Sequence, residues 1–293
     1  MRECPRTLIG KPVIDGLRLC YVAEPSLLED LSKVEVGGSW PAPPFTLFRQ
    51  GGDRFEFTFV VCLGEPGARE EIGILKYGRY GAGESRYVYF KFNNWVLYSL
   101  PTLQLALSLP DLLGLQFNNV TALDIAIDYR KNISTIIKRM MRNESVTTIL
   151  NGKAQKDRKR IIREMTVDYS TSLNRLHHPT ITLRQEKARK HKDKGITVQS
   201  YDKKAEIESV SDKDYILEYY DQPRFLFRLE VRLRYQELQD YCKREKLIQS
   251  AELVFDPAFL LGAFYYHLSA VLRFTKGRRR LAWEDIIACN GRV

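Results

Sequence analysis

The sequence has no apolar run long enough to cross a bilayer as a helix, which removes a helical membrane-spanning role. Its most apolar windows are Val96 to Leu115, broken by Pro101 and Pro110, and Phe259 to Phe274, interrupted by His267. Met1-Arg-Glu-Cys-Pro leads into no apolar core of signal-peptide length, so a cytoplasmic location without a membrane partner is expected. Cysteine is scarce: Cys4, Cys20, Cys62, Cys242 and Cys289 are odd in number and scattered. That excludes a disulfide framework and offers no paired spacing for zinc, leaving reduced, structural thiols. Acid is the minority charge, 36 Asp and Glu against 46 Lys and Arg, for a net +10. A polyanion, nucleic acid before membrane, is the partner this balance predicts. With 293 residues, 44% of them hydrophobic, the chain is long and apolar enough to bury a core.

Residues 1 to 50 are rich in Gly and Pro, including Trp40-Pro-Ala-Pro-Pro44, and predict a lead-in with at most short strands. Alternation predicts a strand over Arg54 to Leu63, then a hairpin of Glu71 to Tyr80 and Arg86 to Tyr98 turning at Gly81-Ala-Gly83. Helical spacing marks Leu100 to Leu115 and Asn132 to Arg142. Further strands are expected over Gly195 to Glu206 and Phe225 to Tyr235. A charged helix follows over Gln236 to Leu247, then an apolar one over Asp256 to Phe274 capped by Asp256. The expected fold is α+β: a central antiparallel sheet with helices on one face, plus a small C-terminal helical segment. The expected organisation is a lead-in at 1–50, a catalytic domain at 51–249 and a helical subdomain at 250–293. Six of eleven residues are basic in each of 153–163 and 184–194. Arg158, Lys159, Arg160, Arg189, Lys190 and Lys192 are therefore candidates for nucleic-acid contact, though such runs are as often solvated faces.

Two acids stand out within Val120-Thr-Ala-Leu-Asp124-Ile-Ala-Ile-Asp128-Tyr129. As a strand this puts Asp124, Ala126 and Asp128 on one face and Leu123, Ile125 and Ile127 on the other. Carboxylates on an otherwise apolar strand need a divalent metal, a Lys or Arg, or a wide polar face opposite. The later strands supply polar faces too, with Tyr201 and Lys203 on one and Glu230 flanked by Arg228, Arg232 and Arg234 on the other. If the three strands are neighbours, Asp124, Asp128 and Glu230 converge. Hard oxygen ligands then favour Mg or Mn, which would polarise a phosphoryl oxygen for attack by a tyrosine hydroxyl. Tyr201 is the candidate nucleophile and Lys203 the group that lowers its pKa or stabilises the transition state. Arg228 and Arg232 are candidates for phosphate contact. The acids also admit a structural reading, salt-bridged to Arg228 and Arg232 across the sheet.

Thr121-Ala-Leu-Asp124-Ile-Ala-Ile-Asp128-Tyr, Val198-Gln-Ser-Tyr201-Asp-Lys-Lys-Ala-Glu206 and Arg224-Phe-Leu-Phe-Arg-Leu-Glu230-Val-Arg-Leu, in that order, resemble the rolling-circle replication initiators of plasmids and filamentous phages. The resemblance covers roughly residues 100 to 245. It implies origin nicking and strand transfer through a 5'-phosphotyrosyl link, on a sheet related to that of the HUH nucleases. Origin DNA, single-stranded or supercoiled, is the implied substrate, and a host helicase is a further expected partner. Two departures are visible. Thr180-Ile-Thr-Leu183 stands where relatives carry a Thr-hydrophobic-Tyr-hydrophobic-Gly segment, and lacks both the tyrosine and the glycine. His177 and His178 are adjacent, so strand alternation would send them to opposite faces, unlike a paired HUH motif. Tyr201 thus becomes the nucleophile by default, with Tyr235 and Tyr241 as competitors. A non-catalytic DNA-binding protein on the same scaffold, or an RNA- or protein-binding factor, are the alternatives.

Overall fold

The computed structural model describes residues 9–51, 54–64, 70–79, 86–155, 166–168, 180–185 and 195–292. In chain order its elements begin with β1 (Pro12–Val22), α1 (Pro25–Ser32), β2 (Ser39–Ala42), β3 (Phe45–Gln50), β4 (Phe55–Leu63), β5 (Glu70–Arg79) and β6 (Tyr87–Phe92). They continue with α2 (Leu100–Leu112), β7 (Gln116–Tyr129), α3 (Ile133–Arg142), β8 (Thr147–Leu150), β9 (Lys153–Ala154), β10 (Thr166–Asp168), β11 (Thr180–Arg184) and β12 (Thr197–Asp202). Last come α4 (Lys203–Val210), α5 (Asp214–Tyr219), β13 (Phe227–Arg234), α6 (Tyr235–Glu245), α7 (Pro257–Val271), β14 (Leu272–Lys276), β15 (Arg279–Arg280) and α8 (Trp283–Ala288). The fold is α+β, and its extended sheet is antiparallel at every pairing described. No helix among the described residues is long and apolar enough to cross a membrane.

The chain groups into two compact units, one of Asp15–Leu123 with Leu247–Leu253, the other of Met1–Ile14, Asp124–Lys246 and Val254–Val293. In the first, β2, β3, β4, β5, β6 and β1 are successive antiparallel neighbours. Alternation drives them: Leu19, Leu47, Phe59, Val61, Leu75, Val88 and Phe90 are all buried. The predicted hairpin is β5 with β6, and its turn lies outside the described residues. The N-terminal 50 residues hold more than the expected short strands, since β1 runs eleven residues and buries Leu17, Leu19, Cys20 and Tyr21. Its apolar positions come in an uneven pattern that hides the period of two.

The second unit carries the acidic strand. Its sheet order is β10, β11, β12, β13 and then β7, so the three motif strands are neighbours, which is the condition for their polar side chains to converge. Helix α3 forms because Asn132 accepts a hydrogen bond from the Thr135 N–H at 3.0 Å, while Arg139 and Arg142 sit in the last turn where the dipole favours cations. Its apolar stripe of Ile133, Ile136, Ile137, Met140 and Met141 is buried, and the Ser134 hydroxyl donates to the Ser200 carbonyl of β12 at 3.1 Å. Helix α3 thus covers the apolar face of the sheet. Helix α7 starts as predicted at Asp256, whose carboxylate accepts from the Ala258 N–H at 3.0 Å. It buries Phe259, Leu260, Phe264, Leu268 and Val271, each such side chain contributing about 1.5–3 kcal/mol. Where one apolar helix was expected through Phe274, the chain turns extended at Leu272 and becomes β14. The reason is tertiary: β14 pairs with β8, Phe274 opposite Thr148, in a second sheet ordered β15, β14, β8, β9. The C-terminal segment is therefore mixed, not purely helical.

Candidate active site

Period-two alternation makes one face of the β7–β13–β12 sheet oil and the other polar. Ile125, Ile127, Val198, Leu229, Val231 and Leu233 are all buried. On the other face the registers line up Thr182 with Gln199 and Gln199 with Glu230, and place Tyr201 opposite Arg228. The Gln199 amide donates to the Thr182 hydroxyl at 3.3 Å. Thr182 occupies the middle of the segment where the resembling proteins carry a tyrosine, so that row holds a neutral hydrogen bond here.

The acids of this face are each met by an arginine. Asp128 and Arg228 are both fully buried, and the guanidinium binds the carboxylate bidentately, Nε to Oδ1 at 2.8 Å and Nη2 to Oδ2 at 2.6 Å. Fork-to-fork pairing of this kind is the strong form of an ion pair. Tyr220 packs beside it: burial first, and the Asp128 charge second, push its hydroxyl well above the usual tyrosine range. Asp124 accepts from Arg234 at 3.2 Å. Glu230, 1% exposed, accepts from Arg232 Nε at 2.6 Å through one oxygen and from the Tyr201 hydroxyl at 3.0 Å through the other. Arg234 was not singled out as a site residue, although its i+2 spacing from Arg232 places it on the same face.

Three sequence assignments change. Arg228 cannot serve as a nucleic-acid contact, because it is sealed against Asp128 with no exposed surface. Asp128 does not fit as a metal ligand, since both its oxygens are occupied by that guanidinium. Lys203 is not on the strand face: β12 ends at Asp202, whose carboxylate accepts from the Ala205 N–H at 3.0 Å and caps α4. Its ammonium is buried, pairs with Glu206 at 2.8 Å and lies 5.7 Å from the centre of the Tyr201 ring, so it supports the ring. Arg232 stays partly exposed beside Tyr201, as a phosphate contact would require. Among the tyrosine competitors, Tyr241 is buried against Phe259, Tyr266 and His267, its hydroxyl so close to Gly262 that a Cβ there would lie 2.4 Å away. Tyr235 is exposed at the start of α6. Arg158, Lys159, Arg160, Arg189, Lys190, Lys192, His177 and His178 lie outside the described residues.

The donor set does not fit a three-carboxylate Mg or Mn site. With Asp128 sealed, Asp124 and Glu230 remain, each carrying an arginine on one oxygen. Among the described residues no group of three or more His, Cys, Asp or Glu is placed to hold an ion. The charge that called for a cation is met by guanidinium instead. What this face can do without one is acid–base work on a phenol, with Glu230 at the hydroxyl and Arg232 at its side.

Asp124 senses pH. Burial first, then the charge of Glu230, push its carboxyl up to about 6 from the ordinary 3.8, against the pull of Arg234 and Arg232. A raised carboxyl pKa means that the folded state binds the proton more tightly. Its contribution to stability is therefore full below pH 3.8 and falls as pH rises through 6. The stability difference between wild type and Asp124→Asn, from urea midpoints at pH 4 and pH 7, should shift toward the variant by about 1–2 kcal/mol. The rise from 3.8 to about 6 converts at about 1.4 kcal/mol per tenfold change in proton affinity, less solvent screening. A difference that is flat with pH would refute the shifted carboxyl.

No family model matches the sequence. No curated protein matches it either. Among solved structures, the chain is similar to a rolling circle replication initiator protein from Geobacillus stearothermophilus, with 15% sequence identity, 96% of each chain covered and a TM-score of 0.48.

Proposed function

We propose that this chain initiates DNA replication by nicking and rejoining a DNA strand on the polar face of its second-unit sheet, with Tyr201 as nucleophile. The observation that carries the reading is the Tyr201 hydroxyl on Glu230 at 3.0 Å, with Arg232 on the other Glu230 oxygen at 2.6 Å. A nucleophile, a base at hydrogen-bond reach and a third group that orients the base is the arrangement that activates a weak hydroxyl. In the proposed step the Tyr201 oxygen bonds to phosphorus, its proton passes to Glu230 and the P–O3' bond breaks. The released 3' oxygen takes its proton from solvent. The exposed part of the Arg232 fork meets the charge that builds on the phosphoryl oxygens. The three motifs shared with rolling-circle initiators and the net +10 support a DNA substrate.

The second reading is a DNA-binding protein without chemistry. It is favoured by the arginine that stands against each carboxylate of the face, an arrangement that stabilises a sheet with no catalytic demand. One experiment separates the two. The protein is incubated with single-stranded or supercoiled DNA from its own replicon and Mg or Mn, then run on a denaturing gel. A covalent adduct present in wild type and absent in Tyr201→Phe supports the nicking reading. DNA binding without an adduct supports the second, and an adduct that survives in Tyr201→Phe moves the nucleophile elsewhere.

A further inference from the structure

Behind the apolar face of the same sheet lies a second basic feature, which neither the polar face nor the basic runs of the sequence include. Thr135, Lys138, Arg139 and Arg142 fall at i, i+3, i+4 and i+7 of α3, one stripe of that helix, opposite its buried isoleucines and methionines. The chain returns to this stripe at its C-terminal end. Arg139 donates to the Asn290 carbonyl, and Gly291, at φ +69°, passes so near the helix that a Cβ there would lie 3.2 Å from the Ile136 carbonyl. Lys131 fixes the approach by donating to the Ile287 and Ala288 carbonyls at 3.2 and 3.1 Å, at the end of α8. This docking sets Arg292 across from Lys138 and Arg142, around an open depression of about 760 Å³.

Four cations line the depression together with Thr135 and Asn143, and none of its lining residues is a carboxylate. Partial burial first, and then the charge of Arg142, hold the Lys138 ammonium below its ordinary pKa. Arg139 is committed to the tail. Lys138, Arg142 and Arg292 form no ion pair among the described residues. Among the described residues that line it none is aromatic or aliphatic, so the depression offers charge and hydrogen bonds in place of an apolar stacking wall. Phosphate oxygens, by contrast, would meet two guanidinium forks, an ammonium and two neutral polar side chains. The opening suits an extended polyanion better than an enclosed small molecule.

We propose that this depression between α3 and the chain's last residues is a second binding site, for the phosphodiester backbone of duplex DNA, on the side of the sheet away from Tyr201. It does not depend on Tyr201 chemistry, since a DNA-binding protein without catalysis would use it in the same way. The site positions DNA through its backbone and reads no bases.

The test is the salt dependence of duplex binding by wild type and by the triple variant Lys138→Gln, Arg142→Gln, Arg292→Gln, with Arg139 left in place to hold the tail. Each lost phosphate contact removes about 0.9 from the slope of log K against log salt, so the slope should become shallower by about 2 to 3. All three side chains reach solvent, and removing like charges should leave the melting temperature at or above that of wild type. Tyr201→Phe should leave the slope unchanged, which separates this site from the proposed chemistry. An unaltered slope in the triple variant overturns the proposal. So does pyrophosphate that stabilises wild type but not the triple variant while duplex binding stays the same, because the pocket would then serve a small phosphate.

Discussion

Asp128→Ala is expected to lower the stability of the folded chain by about 3–5 kcal/mol, the largest loss from any single side chain of the polar face. The cause is what remains: a fully buried Arg228 guanidinium that has lost its carboxylate partner and the bonds to it at 2.8 and 2.6 Å. Arg228→Met should cost a similar amount by stranding the carboxylate. The double variant Asp128→Leu, Arg228→Met should recover most of the loss. Both desolvation costs disappear with the charges, and apolar side chains of similar volume fill the site. Urea denaturation of these proteins, with the single variant Asp128→Leu added, closes the cycle. Equal, small losses in both single variants would mean that water reaches the pair and overturn the prediction.

Glu230→Gln is expected to slow formation of the proposed Tyr201–DNA adduct by about 10²–10⁴-fold in single-turnover reactions, the usual worth of a positioned general base. The amide oxygen can still accept from the Tyr201 hydroxyl, so ring and nucleophile should stay in place while the proton loses its destination. Affinity for single-stranded DNA, by fluorescence anisotropy, should change only a few-fold. Arg232 is released from its carboxylate but is partly exposed and can turn to water or phosphate. A variant with full adduct rate would leave Glu230 as a structural partner of Arg232. One that loses binding and rate together would show that Glu230 holds the face's shape.

The parts of this site legible in the sequence are those set by local periodicity. Alternation in Leu123-Asp124-Ile125-Ala126-Ile127-Asp128 and in Phe227-Arg228-Leu229-Glu230-Val231-Arg232-Leu233-Arg234 put each side chain on the face where the structure holds it. The caps Asn132 and Asp256 were readable for the same local reason. Pairing was not. Which arginine meets which acid depends on how β13 lies beside β7, and those strands come from segments about a hundred residues apart. The structural alternative of the sequence reading had Arg228 and Arg232 as the partners of Asp124 and Asp128. Arg228 does hold Asp128, but Asp124 goes to Arg234 and Arg232 to Glu230. Lys203 was misplaced because a period of two runs on through Tyr201 and Lys203, and only the Asp202 cap stops the strand. At Leu272 the local pattern stayed apolar while pairing with β8 decided the conformation.

The Asp128–Arg228 pair also bears on how the chain finds its fold. Closing a loop of that length comes before any reward from the contact, so this strand pairing is among the costly steps of folding. A one-residue slip of β13 would turn its arginines toward the oil and its leucines toward the acids. Misaligned encounters therefore bury an unmatched charge and come apart, whereas an apolar pair at the same two positions would tolerate them. The buried pair thus disfavours a slipped register of β13, because each charge finds its partner only in the native alignment.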